Sequence, residues 1–319
     1  MKPSFRKAKR SEAKPLIGLY AESRGGKTKS ALLLAKGFAQ DMSLVGMIET
    51  EAGRGEAWAD DPEVGGYQVL PIRTEFSPVA YGEAISAAEE AGLRALIIDS
   101  ASHEWEGAGG VLSMAAENQA AGKKGPIVWQ QPKMQHQREF MLRLMQTPIP
   151  LVIVCMRAKY PMYQITATHV AAWKSRGEHG KPPTVGDWAR STELEPKQAE
   201  DILYEMFVHG WLDKETHSFH GTKYTLEELR NIIKDGEPIS AETGKRLAAW
   251  ANSAAPKQTE NTADYISADQ HIAIMDALKG IRDGEARLKK MAKVERLTQI
   301  PRNAYQRAID WCETARAQG

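Results

Sequence analysis

Apolar residues recur along this chain in two rhythms. Short unbroken runs at Leu16–Tyr20, Leu44–Ile48, Gln68–Ile72, Leu93–Ile98 and Ile149–Met156 read as strands. Between them Lys27–Gln40, Val79–Ala91 and Gln135–Gln146 carry apolar positions at helical spacing. This alternation predicts an α/β fold, a mostly parallel sheet with helices on both faces. Strands as evenly apolar as Ala95-Leu96-Ile97-Ile98 and Leu151-Val152-Ile153-Val154 fit burial on both sides.

The pattern weakens after Lys159. Residues 160–200 are rich in Gly, Pro, His and charge and read as a long excursion from the sheet, and loops of that length are usually functional or mobile. Ile202–Leu212 and His217–Tyr224 then read as a hairpin, and Thr225–Asp235 and Ala241–Trp250 as two short helices. Residues 251–266 have linker composition. The expected organisation is a basic flexible arm (1–14), an α/β domain (15–250), that linker, and a small C-terminal helical module (267–319). The module carries apolar positions such as Ile274, Leu278, Leu288 and Ile309, with Pro301 opening its last helix near the first position. Internal repeats are not apparent.

Chemistry enters at Ala21-Glu22-Ser23-Arg24-Gly25-Gly26-Lys27-Thr28, with Lys29 following. A strand precedes this glycine-rich turn and a helix follows it, which is the setting of a phosphate-binding P-loop (Walker A). Backbone N–H groups at the helix start would cradle phosphates, Lys27 would reach the β/γ-phosphates, and the Thr28 hydroxyl would ligate Mg²⁺. Ala21 stands where the motif has its first glycine, and alanine still permits the turn if its φ stays negative. Asp99 ends an apolar strand, the Walker B arrangement, and would hold the metal with Thr28 directly or through water. Hydrolysis needs a carboxylate to orient water. Glu51, after the strand that follows the P-loop helix, is one candidate, and Glu104 is another.

Bulk properties narrow the classes. A net charge of +1 rules out a global field for a polyanion, so any basic surface is local. Cys155 and Cys312 are far apart and outside any C-x-x-C spacing, which reads as a reducing, cytoplasmic compartment, the host cell's if the chain is phage-encoded. No apolar run approaches the ~18 residues of a membrane span, and the basic N-terminus lacks the apolar core of a secretory signal.

The P-loop, Ile48-Glu49-Thr50-Glu51 and Ile97-Ile98-Asp99-Ser100 resemble the order and spacing of RecA-like ATPases. A closer resemblance is to bacteriophage RecA-like ATPases, including single-strand annealing and recombination proteins. It is carried by Glu49-Thr50-Glu51-Ala52-Gly53-Arg54, by Asp99-Ser100-Ala101-Ser102-His103-Glu104-Trp105-Glu106-Gly107 and by Met156-Arg157-Ala158-Lys159, and it covers about residues 15–210. It implies a RecA-like P-loop NTPase core, ATP as the nucleotide, Glu51 as the catalytic carboxylate, and a homo-oligomeric ring or filament. Cys155 stands where that family has its usual Gln sensor. His103 and Glu104 are open between sensing the γ-phosphate, lining a DNA loop and capping a helix.

Basic residues mixed with aromatics suit single-stranded nucleic acid, because charges neutralise phosphates and rings stack on bases. Arg157, Lys159, Lys174, Arg176, Lys181 and Arg190 surround the excursion with Tyr160, Tyr163, Trp173 and Trp188, and Lys123-Lys124 lie in a Gly-rich loop. A solvated loop explains the same composition, and Arg157 or Lys159 could serve instead as an arginine finger. In the tail, Arg287, Lys289, Lys290, Lys293 and Arg296 are flanked by Glu285 and Glu295, as a solvated helix face would be. The expectation is a Mg-ATP-binding and hydrolysing, DNA-stimulated ATPase acting on single-stranded DNA in phage recombination, annealing or replication, with phage recombination or replication proteins as further partners. Helicases, helicase loaders, packaging motors, small-molecule kinases and a nucleotide-dependent scaffold with little turnover are the alternatives.

Overall fold

The structure, a computed structural model, describes residues 5, 10, 13–177, 181–253, 266, 268–281, 283–292, 294 and 296–317. Lys2, Arg6, Lys7 and Lys9 of the basic arm, residues 254–265 of the linker, and Lys293 and Glu295 lie outside the described residues. The chain divides into two compact units, one through Asn252 and one from Ser253.

The first unit contains strands β1 (Leu16–Ala21), β2 (Val45–Glu49), β3 (Gln68–Pro71), β4 (Ala95–Asp99), β5 (Leu151–Lys159), β6 (Met162–Gln164), β7 (Trp188–Arg190), β8 (Glu195–Pro196), β9 (Val208–Leu212), β10 (Ser218–Tyr224) and β11 (Glu237–Pro238). Its helices are α1 (Lys27–Ala39), α2 (Pro78–Glu90), α3 (Ser102–Glu106), α4 (Val111–Ala120), α5 (Ile127–Gln135), α6 (Leu142–Gln146), α7 (Ala167–Ser175), α8 (Asp201–Glu205), α9 (Glu227–Ile232) and α10 (Ala241–Asn252). A π-helical turn, His136–Met141, joins α5 to α6.

The main sheet runs β11-β10-β9-β1-β5-β4-β2-β3. From β9 to β3 every pairing is parallel; β10 and β11 add an antiparallel edge. The chain is thus α/β with a mostly parallel sheet, compatible with a RecA-like core. Strand β5 lies between β1 and β4: Arg157 sits opposite Ala21 at the end of β1 but two residues beyond the partner of Asp99, and Ala158 and Lys159, which outrun both neighbours, pair with β8.

Successive strand residues face opposite ways, so each strand feeds two cores. Ile17, Leu19, Met47, Ile97, Ile153 and Cys155 pack under α1 and α10. Tyr20, Ile48, Leu96, Ile98, Val154 and Met156 pack with Tyr81 and Ile85 of α2 and with Phe140 and Leu144. The same parity puts Glu49, Asp99 and Arg157 on the α1 side.

Several elements differ from the sequence reading. Ile202–Leu212 is not one strand: Asp201–Glu205 forms a helical turn, and pairing with β1 begins only at Val208. The excursion is ordered where described. β6 and β7 pair antiparallel, and α7 between them starts on a capping box in which Thr166 and His169 satisfy each other's backbone N–H groups. The arm is partly tied down: Arg10 pairs with Glu228 at 3.0 Å and stacks on Trp250, and Lys14 donates to the Thr147 carbonyl.

The second unit contains α11 (Ala268–Ala277), α12 (Gly284–Ala292) and α13 (Tyr305–Ala317). They surround their own core, including Ile274, Leu278, Leu288, Ile300 and Cys312. A short 3₁₀ turn follows Pro301 before α13 begins. Among the described residues, no helix is long and apolar enough to cross a membrane.

Candidate functional site

The turn from β1 into α1 is built by its glycines. Arg24 and Gly26 have left-handed φ values of 70° and 80°. A Cβ on Gly25 would lie 2.5 Å from the Ala21 Cβ. The bare Gly25 therefore makes room for an alanine at position 21, whose φ is not positive. Gly26 caps α1 without any side chain accepting from the first-turn N–H groups, and no acidic residue sits in that turn. These orphan donors and the positive helix end face the cleft and favour an anion.

Lys27 folds back over the loop, donating to the carbonyls of Ala21 (3.2 Å) and Glu22 (3.3 Å). Thr28 Oγ1 donates to Asp99 Oδ2 at 2.5 Å, so the two residues singled out as metal ligands lie side by side. Burial pushes the Asp99 carboxyl above its ordinary range, with the Thr28 hydrogen bond pulling the other way. Cys155 is fully buried beneath Lys27, and burial raises its thiol well above the ordinary value.

Glu51 reaches the site by way of a residue the sequence reading left without a role. Glu49 is fully buried, accepts hydrogen bonds from the N–H groups of Glu51 (2.7 Å) and Gly53 (3.1 Å), and is ion-paired to Arg73. It thereby shapes the turn through Ala52 and Gly53, both at positive φ. Glu51 is gripped by Arg157, Nε to Oε1 at 2.9 Å and Nη2 to Oε2 at 3.0 Å. Burial works to raise the Glu51 pKa, but the Arg157 hydrogen bonds and charge outweigh it and hold the carboxyl below its usual range.

A cleft of about 750 Å³ is lined by Ala21, Ser23 through Ser30, Glu51, Asp99 and Arg157. Of the loop residues, only Glu22 stays off its wall. Lys29 is paired with Glu63 at 2.9 Å and sits 5.4 Å from the Trp58 ring, which also lines the cleft. Thr216, His217, Pro238 and Ile239 also line the cleft. The Asp213 carboxylate accepts from the N–H groups of Glu215 and Thr216, and this turn seats His217 against Gly26.

His103 and Glu104 part company. His103 Nδ1 lies 2.7 Å from Thr50 Oγ1 and its ring packs on Phe76, beside Glu51 but outside the cleft. Burial first, then the Arg157 charge, lowers its pKa. Glu104 is fully buried on the other face of the sheet, 2.9 Å from His136 Nδ1 and accepting from Gln198, so no nucleic acid reaches it. Lys159 on β5, Lys174 on α7 and Arg176 just past α7 are exposed, and none of the three lines the cleft. Lys123 donates to Asn118 at 2.7 Å, and Lys124 is exposed in the same turn.

The donors suit Mg²⁺ and a nucleotide triphosphate. Mg²⁺ is typically held by one or two protein oxygens plus phosphates and waters, and the Thr28 hydroxyl and Asp99 carboxylate supply such oxygens. Among the described residues no group of three or more His, Cys, Asp or Glu is placed to hold a metal ion by itself. The chain matches no protein-family model and no curated protein.

Proposed function

We propose that this protein is a RecA-like P-loop ATPase that binds and hydrolyses Mg-ATP and acts on single-stranded DNA in phage recombination, annealing or replication. The observation that carries the reading is the convergence of uncapped α1 N–H groups, Lys27, the Thr28–Asp99 pair and Glu51 on one cleft. Lys27 would exchange its loop carbonyls for the β/γ-phosphates, and Thr28 and Asp99 would hold Mg²⁺, which neutralises charge on the phosphates. Glu51 would orient water toward the γ-phosphate.

The DNA half rests on the β6–α7–β7 segment. Trp188 is 65 % exposed and Met162 55 %, and Arg190 stacks on Tyr160 at 4.6 Å. Rings and cations at one exposed site suit stacked bases and phosphates. Mg-ATP between subunits of a homo-oligomeric ring or filament, and phage replication or recombination partners, follow from the resemblance alone.

A second reading, a nucleotide-dependent scaffold with little turnover, is favoured by the Arg157 grip on Glu51.

The test is the ATPase rate with and without single-stranded DNA, on wild type and Lys27→Ala. Strong stimulation that vanishes in Lys27→Ala is expected. A Lys27-dependent rate indifferent to DNA would sink the nucleic-acid half, and Glu51→Gln without effect on the rate would favour the scaffold.

A further inference from the structure

A second cavity, about 330 Å³, adjoins the nucleotide cleft and shares with it Glu51, Arg54 and Arg157. The Glu51–Arg157 pair is thus the partition between the two. Beyond it the pocket is lined by Arg73, Thr50, His103 and Phe76. Arg73 is committed to Glu49 and Glu56. Arg54 is not comparably engaged: its side chain is 75 % exposed and reaches Glu51 only at 3.5 Å. Arg54 and Arg157 therefore share one carboxylate while Arg73 has two, so the surplus positive charge lies on the Arg54–Arg157 side of the pocket.

We propose that the second pocket is a phosphate-binding site, and that a phosphate group entering it draws Arg157 away from Glu51. The inference rests on the ATPase reading for its consequence, though not for the binding itself. A guanidinium presents five donors in a planar fork that matches carboxylate and phosphate equally well in bidentate geometry. Exchanging one anion for the other is then close to balanced, which is what a reversible latch requires. With Arg157 in place, Glu51 spends both oxygens on the guanidinium and has a depressed affinity for protons, making it a poor base for water. With Arg157 turned to the phosphate, Glu51 keeps its position through the Glu49 turn and regains a free oxygen facing the cleft. Arg157 is a positioning residue here, acting on the reaction through Glu51.

The experiment loads the full-length protein with saturating Mg-ATP, so that the P-loop is filled, and titrates inorganic phosphate and a fluorescein-labelled oligothymidylate separately. Anisotropy reports oligonucleotide binding directly and phosphate binding by competition with it, and a coupled assay reports hydrolysis. Arg54→Ala is expected to weaken anion binding severalfold. Arg157→Gln, which keeps side-chain length and a hydrogen-bond donor, is expected to raise the anion-free rate about tenfold and to abolish further stimulation. Stimulation by inorganic phosphate alone identifies free phosphate as the occupant; stimulation only by the oligonucleotide identifies its backbone. An Arg157→Gln protein that binds a fluorescent ATP analogue normally, yet hydrolyses at or below the wild-type anion-free rate, overturns the latch. Anion binding unaffected by Arg54→Ala overturns the pocket. Absence of any Lys27-dependent nucleotide binding is instead a failure of the ATPase reading, and the anisotropy arm still decides the pocket.

Discussion

Helix α1, whose first turn forms the cleft floor, is held by an unusually close crossing with α10, and Gly37→Ala tests it. A Cβ at Gly37 would lie 1.8 Å from the Ala241 carbonyl oxygen and 2.8 Å from the Lys245 nitrogen. The contact is reciprocal, since a Cβ at Gly244 would lie 2.2 Å from the Leu34 oxygen. These neighbours are backbone and cannot rotate aside, so α10 must retreat by roughly 1.5 Å to restore ordinary contact. Overpacking of this kind costs about 1–3 kcal/mol. The retreat also loosens Leu247, Ala248 and Trp250, which are buried against the α1 side of the sheet. Replacing an interior helical glycine with alanine returns about 1 kcal/mol. The balance is a loss of about 1 kcal/mol, or a melting temperature lower by about 2–4 °C for a unit of this size. Thermal unfolding followed by circular dichroism measures it. A Gly37→Ala protein that melts at or above the wild-type temperature refutes the close crossing, because helix propensity alone would then be deciding the outcome.

Two further predictions concern buried charge. Glu49→Ala removes the carboxylate that holds the Glu51 turn and leaves Arg73 without its buried partner. Because Arg73 retains solvent and Glu56, the expected loss is about 2 kcal/mol, below the usual cost of breaking a buried pair, with turnover falling further than nucleotide binding. Equal losses in both would contradict the positioning role. His136 is buried between Glu104 and Asp201 and against the Trp105 and Phe140 rings. Burial works to lower its pKa, but the Glu104 hydrogen bond and the two carboxylates prevail and raise it above 6.5. A raised folded pKa means that its stabilisation is fully present below about pH 6.5 and is lost as pH rises through the folded value. Melting curves of wild type and His136→Gln should therefore differ most near pH 6 and converge toward pH 9; a gap that widens with pH contradicts this sign.

The sheet and the glycine-rich turn between β1 and α1 were legible because they depend on local pattern. Apolar runs set the strands, and Gly25, Gly26, Lys27 and Thr28 sit in a sequence that only a strand–turn–helix accommodates. The place of Asp99 at the end of β4 was legible because it ends an apolar run. Helices α4 and α5 were not legible: Gly107 to Gly110 and Lys123 to Gly125 interrupt the pattern, and Pro132 lies inside α5, where it removes a helical donor. The Asp213–His217 turn carries turn residues, but its approach to Gly26 depends on β9 pairing with β1, a contact across nearly the whole first unit. Glu51 and Arg157 were each singled out, yet their pairing was not. It depends on β5 outrunning β4, which no run of hydrophobic residues reports.

The two halves of the cleft differ in how firmly they are held, and that difference bears on the proposed chemistry. At the ends of β2 and β4, Thr50 donates its N–H to the Asp99 carbonyl (2.9 Å), while Thr50 Oγ1 accepts from the Ser100 N–H (2.8 Å). Tyr81, wholly buried, donates to the Ser100 carbonyl at 2.7 Å. A buried network with its partners in place is rigid and costly to rearrange. It holds Asp99 against Thr28 whatever happens nearby. Glu51 lies just outside that network, fixed at its backbone by Glu49 but at its carboxylate by Arg157, which is itself partly exposed. A site built this way can keep the Thr28 and Asp99 oxygens constant while changing only the availability of the Glu51 carboxylate. Control at Glu51 should then alter turnover with little change in nucleotide affinity, and an effector that shifted both together would have to act through the Thr50–Ser100 network instead.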